Sequence, residues 1–125
     1  MNNRLEDNLQ IACVSYFRLK YPDYLITSFP AGFTFTGNKI QRIITGKIMK
    51  DMGYCNGFPD LFIPVPNRKY SGLFLELKIK PNKPTNEQTY IMLKLTDLGY
   101  CCSVCYCIDD FMKVVKEYMF FINND

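Results

Sequence analysis

The sequence predicts an α/β fold, a small mixed β-sheet flanked by helices, on three observations. Apolar residues recur at helical spacing in four stretches, shorter runs with strand alternation separate them, and glycine, proline or asparagine punctuates nearly every junction. The resulting order is helix, strand, helix, hairpin, helix, strand, helix. A length of 125 residues with a hydrophobic fraction of 48% suits one core, so residues 1–125 read as a single domain.

From Leu5 to Lys20, apolar residues at Leu5, Leu9, Ala12, Cys13, Tyr16 and Phe17 form one face of a helix that Pro22 ends. Tyr24 to Phe29 has strand character, broken by Pro30-Ala31-Gly32. Asn38 to Met52 is helical again, with Ile40, Ile44, Ile48 and Met52 on one side and Lys39, Arg42, Lys47 and Lys50 roughly opposite. Gly46 weakens that helix and Gly53 suits its end.

After an Asn56-Gly57 turn, Asp60 to Val65 and Leu73 to Lys80 read as the two strands of a hairpin. In the second, Leu73, Leu75, Leu77 and Ile79 share one face, and Phe74, Glu76, Lys78 and Lys80 share the other. One side is therefore expected in the core and the other to carry charge. Pro81-Asn82-Lys83-Pro84 interrupts the sheet, and Thr85 to Leu98 is a helix with Ile91, Leu95 and Leu98 on its apolar face. Tyr100 to Ile108 is the last strand. Asp109 and Asp110 are expected to cap a final helix running to about Ile122, with Phe111, Val114, Val115, Tyr118 and Phe121 buried.

Composition removes several chemistries. With no histidine, Ser-His-Asp and Cys-His hydrolysis, His-based zinc sites and His-activated nuclease sites are excluded. Any reaction must use carboxylates, lysines or a metal ion. A formal charge of +3 and a pI near 8.5 permit a nucleic-acid partner. The charged N-terminus does not read as a signal peptide, and no uncharged run reaches the roughly 18 residues of a membrane span, so an intracellular protein is expected.

Six cysteines invite a zinc reading, yet in a strand Cys101, Cys105 and Cys107 point one way and Cys102 the other, so they cannot wrap a tetrahedral ion. Cys13 and Cys55 stand alone. All six read as small buried residues in a reducing compartment.

One constellation carries chemistry. Glu76 and Lys78, two residues apart on a strand, project from the same side of the sheet, and strand pairing brings Asp60, behind Pro59, toward Glu76. Two carboxylates and an ammonium fit metal-assisted phosphodiester hydrolysis. Asp60 and Glu76 supply hard oxygen ligands for Mg²⁺, and Lys78 orients a water or stabilises the transition state. The bland alternative is a solvated hairpin face, and such a pattern arises by chance in on the order of a few per cent of chains this size. Placement on adjacent strands, framed by glycines, favours the functional reading.

Gly57-Phe58-Pro59-Asp60-Leu61, Gly72-Leu73-Phe74-Leu75-Glu76-Leu77-Lys78, Thr85-Asn86-Glu87-Gln88 and Leu95-x-x-x-Gly99-Tyr100 together resemble the VRR-NUC domain, the virus-type replication and repair nuclease branch of the PD-(D/E)XK superfamily. The resemblance covers nearly the whole chain and implies a restriction-endonuclease-like core. It implies metal ligation of Mg²⁺ or Mn²⁺ by Asp60, Glu76 and the backbone carbonyl of Leu77, with Lys78 as the catalytic lysine. It also matches Gln88 to the family's glutamine, and Glu6 and Gln10 to positions the family presents to its active site. In place of the family's Pro-Asn stands Pro30-Ala31-Gly32, which removes the basis for a substrate role there.

Two of these positions have a second explanation. Thr85 and Gln88 form a T-x-x-Q capping box, compatible with a catalytic role only if Gln88 turns toward the cleft, and Glu6 suits a helix's first turn as an exposed acid. Lys39, Arg42, Lys47, Lys50, Lys80 and Lys83 are candidate phosphate contacts; taken alone the helix stripe is more often a solvated face, and a neighbouring nuclease site shifts the balance modestly toward DNA contact. Nothing resembles a base-reading module.

Stand-alone members of the family are typically phage or viral homodimers that cut branched DNA such as Holliday junctions. The expectation is therefore a metal-dependent, structure-selective DNA endonuclease and homodimer, with no membrane partner. It would work in the host cytoplasm, or in the nucleus for a virus replicating there. The alternatives are a flap or duplex nuclease, a restriction-type enzyme, and a non-catalytic nucleic-acid-binding module that keeps the fold.

Overall fold

The computed structural model describes residues 2–29 and 37–122. The Pro30-Ala31-Gly32 turn lies outside them. The elements are α1 (Asn2–Lys20), β1 (Thr27–Ser28), α2 (Lys39–Asp51), β2 (Leu61–Ile63), β3 (Leu73–Leu77), α3 (Asn86–Asp97), β4 (Cys101–Cys105) and α4 (Ile108–Phe120). The four-stranded sheet has the order β1-β2-β3-β4, antiparallel except for the β3–β4 pair, so it is mixed as expected.

All four strands are shorter than their sequence patterns. Pro64 cannot donate a ladder hydrogen bond, so the Asp60–Val65 run is a strand only over Leu61–Ile63. At the sheet edge the Tyr24–Phe29 run pairs only at Thr27 and Ser28. The Leu73–Lys80 run stops at Leu77, where the ladder partner Cys105 ends β4. Tyr100–Ile108 is cut to Cys101–Cys105 because Cys107 already starts α4 as its N-cap.

On one face of the sheet Leu61, Ile63, Leu73, Leu75, Leu77 and Cys105 meet Leu9, Cys13 and Phe17 of α1 and Phe111, Val115, Tyr118 and Met119 of α4. The opposite face of β3 was expected to be open and charged. It is covered: Phe74 packs among Phe58, Phe62 and Tyr100, and Glu76 is 2% exposed. A centre strand with helices on one side and an aromatic layer on the other has no solvated face.

The helices depart from their stripes in instructive ways. Leu5 and Ala12 of α1 are exposed, as is Leu98, which serves as C-cap of α3. In α4, Met119 is buried while Phe121, past the helix end, is exposed. Asp109 and Asp110 lie in the first turn of α4, and the Asp110 carboxylate accepts a hydrogen bond from the Tyr106 amide at 2.9 Å. No residue of α2 is buried, so its isoleucine stripe does not face the core as a stripe normally does. That helix is held locally by a capping box between Asn38 and Gln41.

The cysteines divide. Cys13 and Cys105 are buried, and burial pushes both thiols up to about 12. Cys55 and Cys107 are exposed, contrary to the expectation that all are buried, because both lie outside the sheet. All six are free. Among the described residues no helix is long and apolar enough to cross a membrane.

Candidate active site

The antiparallel register of Leu61 with Leu75 puts Asp60, one residue before β2, beside Glu76. Pro59, itself fully buried, fixes the entry to this turn. Asp60 Oδ2 then accepts a hydrogen bond from the Leu77 amide at 2.7 Å. In an extended strand the N–H and C=O of one residue point to the same side, so the Leu77 carbonyl also leaves β3 toward Asp60.

Glu76 is the one buried charged residue among those described. Its Oε2 accepts from Gln88 Nε2 at 3.1 Å and lies 3.8 Å from Lys78 Nζ. Its Oε1 is buried with no hydrogen-bond partner. Burial first, then the neighbouring Asp60 carboxylate, pushes the Glu76 carboxyl up to about 8, against the pull of Lys78. Burial also raises Asp60, while the Leu77 amide, a hydrogen bond with Glu76 and Lys78 draw it down. Two ionised carboxylates have no proton to share, so Oε1 is satisfied only by a proton held between them or by a cation.

A buried oxygen lacking a partner, beside a second carboxylate and an outward carbonyl, suits a hard divalent cation. Among the described residues no group of three or more histidine, cysteine or acidic side chains closes around a metal. The described side chains that could hold such an ion are therefore two, Asp60 and Glu76, and further donors would have to come from backbone or solvent.

The two explanations of Gln88 hold at once. Its Oε1 accepts from the Thr85 amide at 2.9 Å while the Thr85 hydroxyl accepts from the Gln88 amide at 3.1 Å, completing the capping box of α3. The opposite end of the same side-chain amide reaches Glu76. One residue therefore starts the helix and orients the carboxylate.

Glu6, half-buried on α1, is close enough to feel Lys78, Asp60 and Glu76. Burial raises its carboxyl, Lys78 lowers it and Asp60 raises it. Gln10 is half-buried one helical turn further on. The structure thus gathers Asp60, Glu76, Leu77, Lys78, Gln88 and Glu6 in one region. The basic residues are dispersed on the surface. Lys39, Arg42, Lys47 and Lys50 are exposed along α2, where Lys47 pairs with Asp51 at 3.1 Å. Lys80 and Lys83 are exposed beyond β3, with Lys80 Nζ 5.7 Å from the centre of the Tyr106 ring.

A cleft of about 570 Å³ runs from Asp60 and Gln88 to the end of α2, walled by Phe29, Met49, Met52, Tyr54 and Phe58. Sequence reading found Phe58 only as part of a motif and Asn56 only as a turn residue, and it missed Tyr54. The one signal available was the turn at Asn56-Gly57, which folds this loop onto α3. Gly57 has φ +84°, and a Cβ there would stand 2.9 Å from Glu87 Cγ.

Four helices around a small mixed sheet, with a carboxylate pair at its centre, define an α/β fold. Within that class the fold is similar to that of a solved structure called a VRR_NUC domain protein, with a TM-score of 0.74 over 93% of this chain and 88% of the other. The sequences are 24% identical, so the likeness is one of fold. No protein-family model matches the chain, and neither does any curated protein.

Proposed function

We propose that this protein is a Mg²⁺- or Mn²⁺-dependent endodeoxyribonuclease that hydrolyses phosphodiester bonds in branched DNA, Holliday junctions included. The observation that carries the reading is the buried Glu76, with its unpartnered oxygen, beside Asp60 and Lys78. A purely structural glutamate has no reason to be buried with one carboxylate oxygen unpartnered, since desolvating that oxygen is costly.

Asp60, Glu76 and the Leu77 carbonyl would hold the cation, which when bound supplies charge neutralisation at the phosphate and lowers the pKa of water. Lys78 projects from the same side of β3 as Glu76, where its ammonium can hold the attacking water or meet charge developing on a non-bridging phosphate oxygen. Gln88 fixes the Glu76 rotamer by donating to Oε2. Glu6, raised by burial, is poised on α1 to accept a proton near Lys78. Lys39, Arg42, Lys50, Lys80 and Lys83 would contact flanking phosphates, which makes affinity salt-dependent.

A second copy is expected on α2. Ile40, Ile43, Ile44, Ile48 and Met52 are 68%, 62%, 53%, 52% and 82% exposed. Exposed apolar side chains grouped along one helix mark a surface suited to a partner. A two-fold dimer would present two sites to a two-fold junction.

The deciding experiment is cleavage of labelled four-way junction, flap, linear duplex and single-stranded DNA with Mg²⁺, Mn²⁺ or EDTA, with Glu76→Ala and Lys78→Ala alongside. Symmetric junction cuts that disappear in EDTA and in both variants support the proposal. A folded protein that binds DNA and cuts none of these substrates is instead a binding module.

A further inference from the structure

We infer that the cleft beside Asp60 is a nucleobase pocket, so that the strand is cut next to a nucleotide whose base has left the duplex stack. The inference rests on the phosphodiesterase reading and adds how the substrate is recognised.

The cleft wall is unlike a phosphate-binding surface. None of the described residues lining it is lysine or arginine, and most of its side chains are aromatic or thioether. Its volume of about 570 Å³ falls within the range of small-molecule sites and suits one nucleoside. Its polar end is Asp60 and Gln88, the residues that ligate the proposed cation or orient its ligand. A phosphate held there is joined through a single sugar to its own base, so that base lies within reach of the apolar wall. The base is the largest apolar-faced group tethered so closely to the scissile bond, and the only one with flat faces for an aromatic wall.

The wall is also preorganised. The Phe58 ring meets Phe29 edge-on at 4.9 Å and Phe74 at 5.4 Å, and Pro59 behind it is fully buried. Tyr54 lines the cleft, and its hydroxyl makes no hydrogen bond to any described residue. The Asn56 side-chain amide has no such bond either and offers both a donor and an acceptor to a base edge.

Stacking one base on an aromatic side chain contributes about 1–3 kcal/mol, and unstacking a paired base costs a few kcal/mol. The two nearly cancel in an intact duplex. Where the base is already unpaired, at a bulge or flap, only the gain remains, and where stacking is interrupted at a junction centre the cost is reduced, so selectivity for branched DNA follows without any sequence readout.

The test compares the affinities of a duplex carrying one extrahelical adenine and of the fully paired duplex, by fluorescence anisotropy, in a Glu76→Gln background that leaves DNA intact. Cleavage of the same two duplexes is followed with Glu76 present. Tyr54→Ala should lower the bulged-to-paired affinity ratio about tenfold. Asn56→Ala, exposed and remote from the core, should lower it in the same direction and guards against misfolding of the first variant. If both variants keep the parent's ratio and cut both duplexes as the parent does, the pocket is overturned while the nuclease reading stands. If the ratio falls as expected but the parent cuts nothing, base capture stands and the nuclease reading fails.

Discussion

Glu76→Gln separates the cost of the site from its function. In the folded, metal-free protein the Glu76 carboxyl titrates near 8, against 4.5 as an ordinary glutamate. Between those pH values the folded chain keeps a proton that the unfolded chain has released. Stability therefore falls as pH rises through the window, by up to about 1.4 kcal/mol per pH unit, and levels off above the folded value. Asp60, also raised by burial, titrates with Glu76 as a pair and acts in the same direction. Glutamine keeps the shape, carries no charge and brings an N–H₂ donor to the Asp60 side. Urea denaturation in EDTA at pH 5, 7 and 9 should show parent and variant about equally stable at pH 5, with the variant ahead by about 2 kcal/mol or more at pH 9. Mg²⁺ should stabilise the parent more at pH 8 than at pH 6, because it competes with the proton, and should leave the variant unmoved. A parent whose stability is flat from pH 5 to 9, or a variant less stable than the parent at pH 9, would refute the reasoning.

Three further outcomes follow from other contacts. Thr85→Ala and Gln88→Ala should each cost about 1 kcal/mol by thermal or urea melting, since each breaks the α3 capping box, but only Gln88→Ala should also lower kcat, because it alone releases Glu76. Tyr118→Phe removes the hydroxyl that donates to the Val65 carbonyl at 2.6 Å and should cost about 1–3 kcal/mol in urea with no change of fold by circular dichroism. Ile44→Lys with Ile48→Lys should convert a dimer to a monomer in light scattering at an unchanged Tm of the monomer, because neither side chain is buried in the chain; an oligomeric state identical to the parent's would remove α2 from the interface.

How much of this was legible in sequence depends on what fixed each residue. The Asp60, Glu76, Lys78 arrangement could be read because alternation and hairpin register are local rules: Leu61 pairs with Leu75, so Asp60 must stand near Glu76. The burial of Glu76 could not be read, because the groups around it come from separate parts of the chain: Asp60 before β2, Gln88 on α3 and Glu6 on α1. Likewise the T-x-x-Q pattern revealed the capping box, but only the placement of α3 against the sheet shows that the far end of Gln88 reaches the carboxylate. The isoleucine stripe of α2 misled for the opposite reason: helical periodicity says that a face wants burial, not which surface will bury it.

The dual use of Gln88 and the cost of Glu76 belong to one design. A glutamate in the middle of a strand covered on both faces is held in place by neighbours that are themselves required for folding: Asp60 by the Leu77 amide, Gln88 by the first turn of α3, and Phe58 by its contacts with Phe29 and Phe74. None of these supports can relax to hydrate the carboxylate without unmaking a turn, a cap or the aromatic layer. The penalty of burial therefore cannot be relieved by local motion and is offset only by a proton or a cation. A cation bound there would release a destabilisation that the fold itself maintains, and the same rigidity would keep Asp60 and Glu76 in position for a substrate.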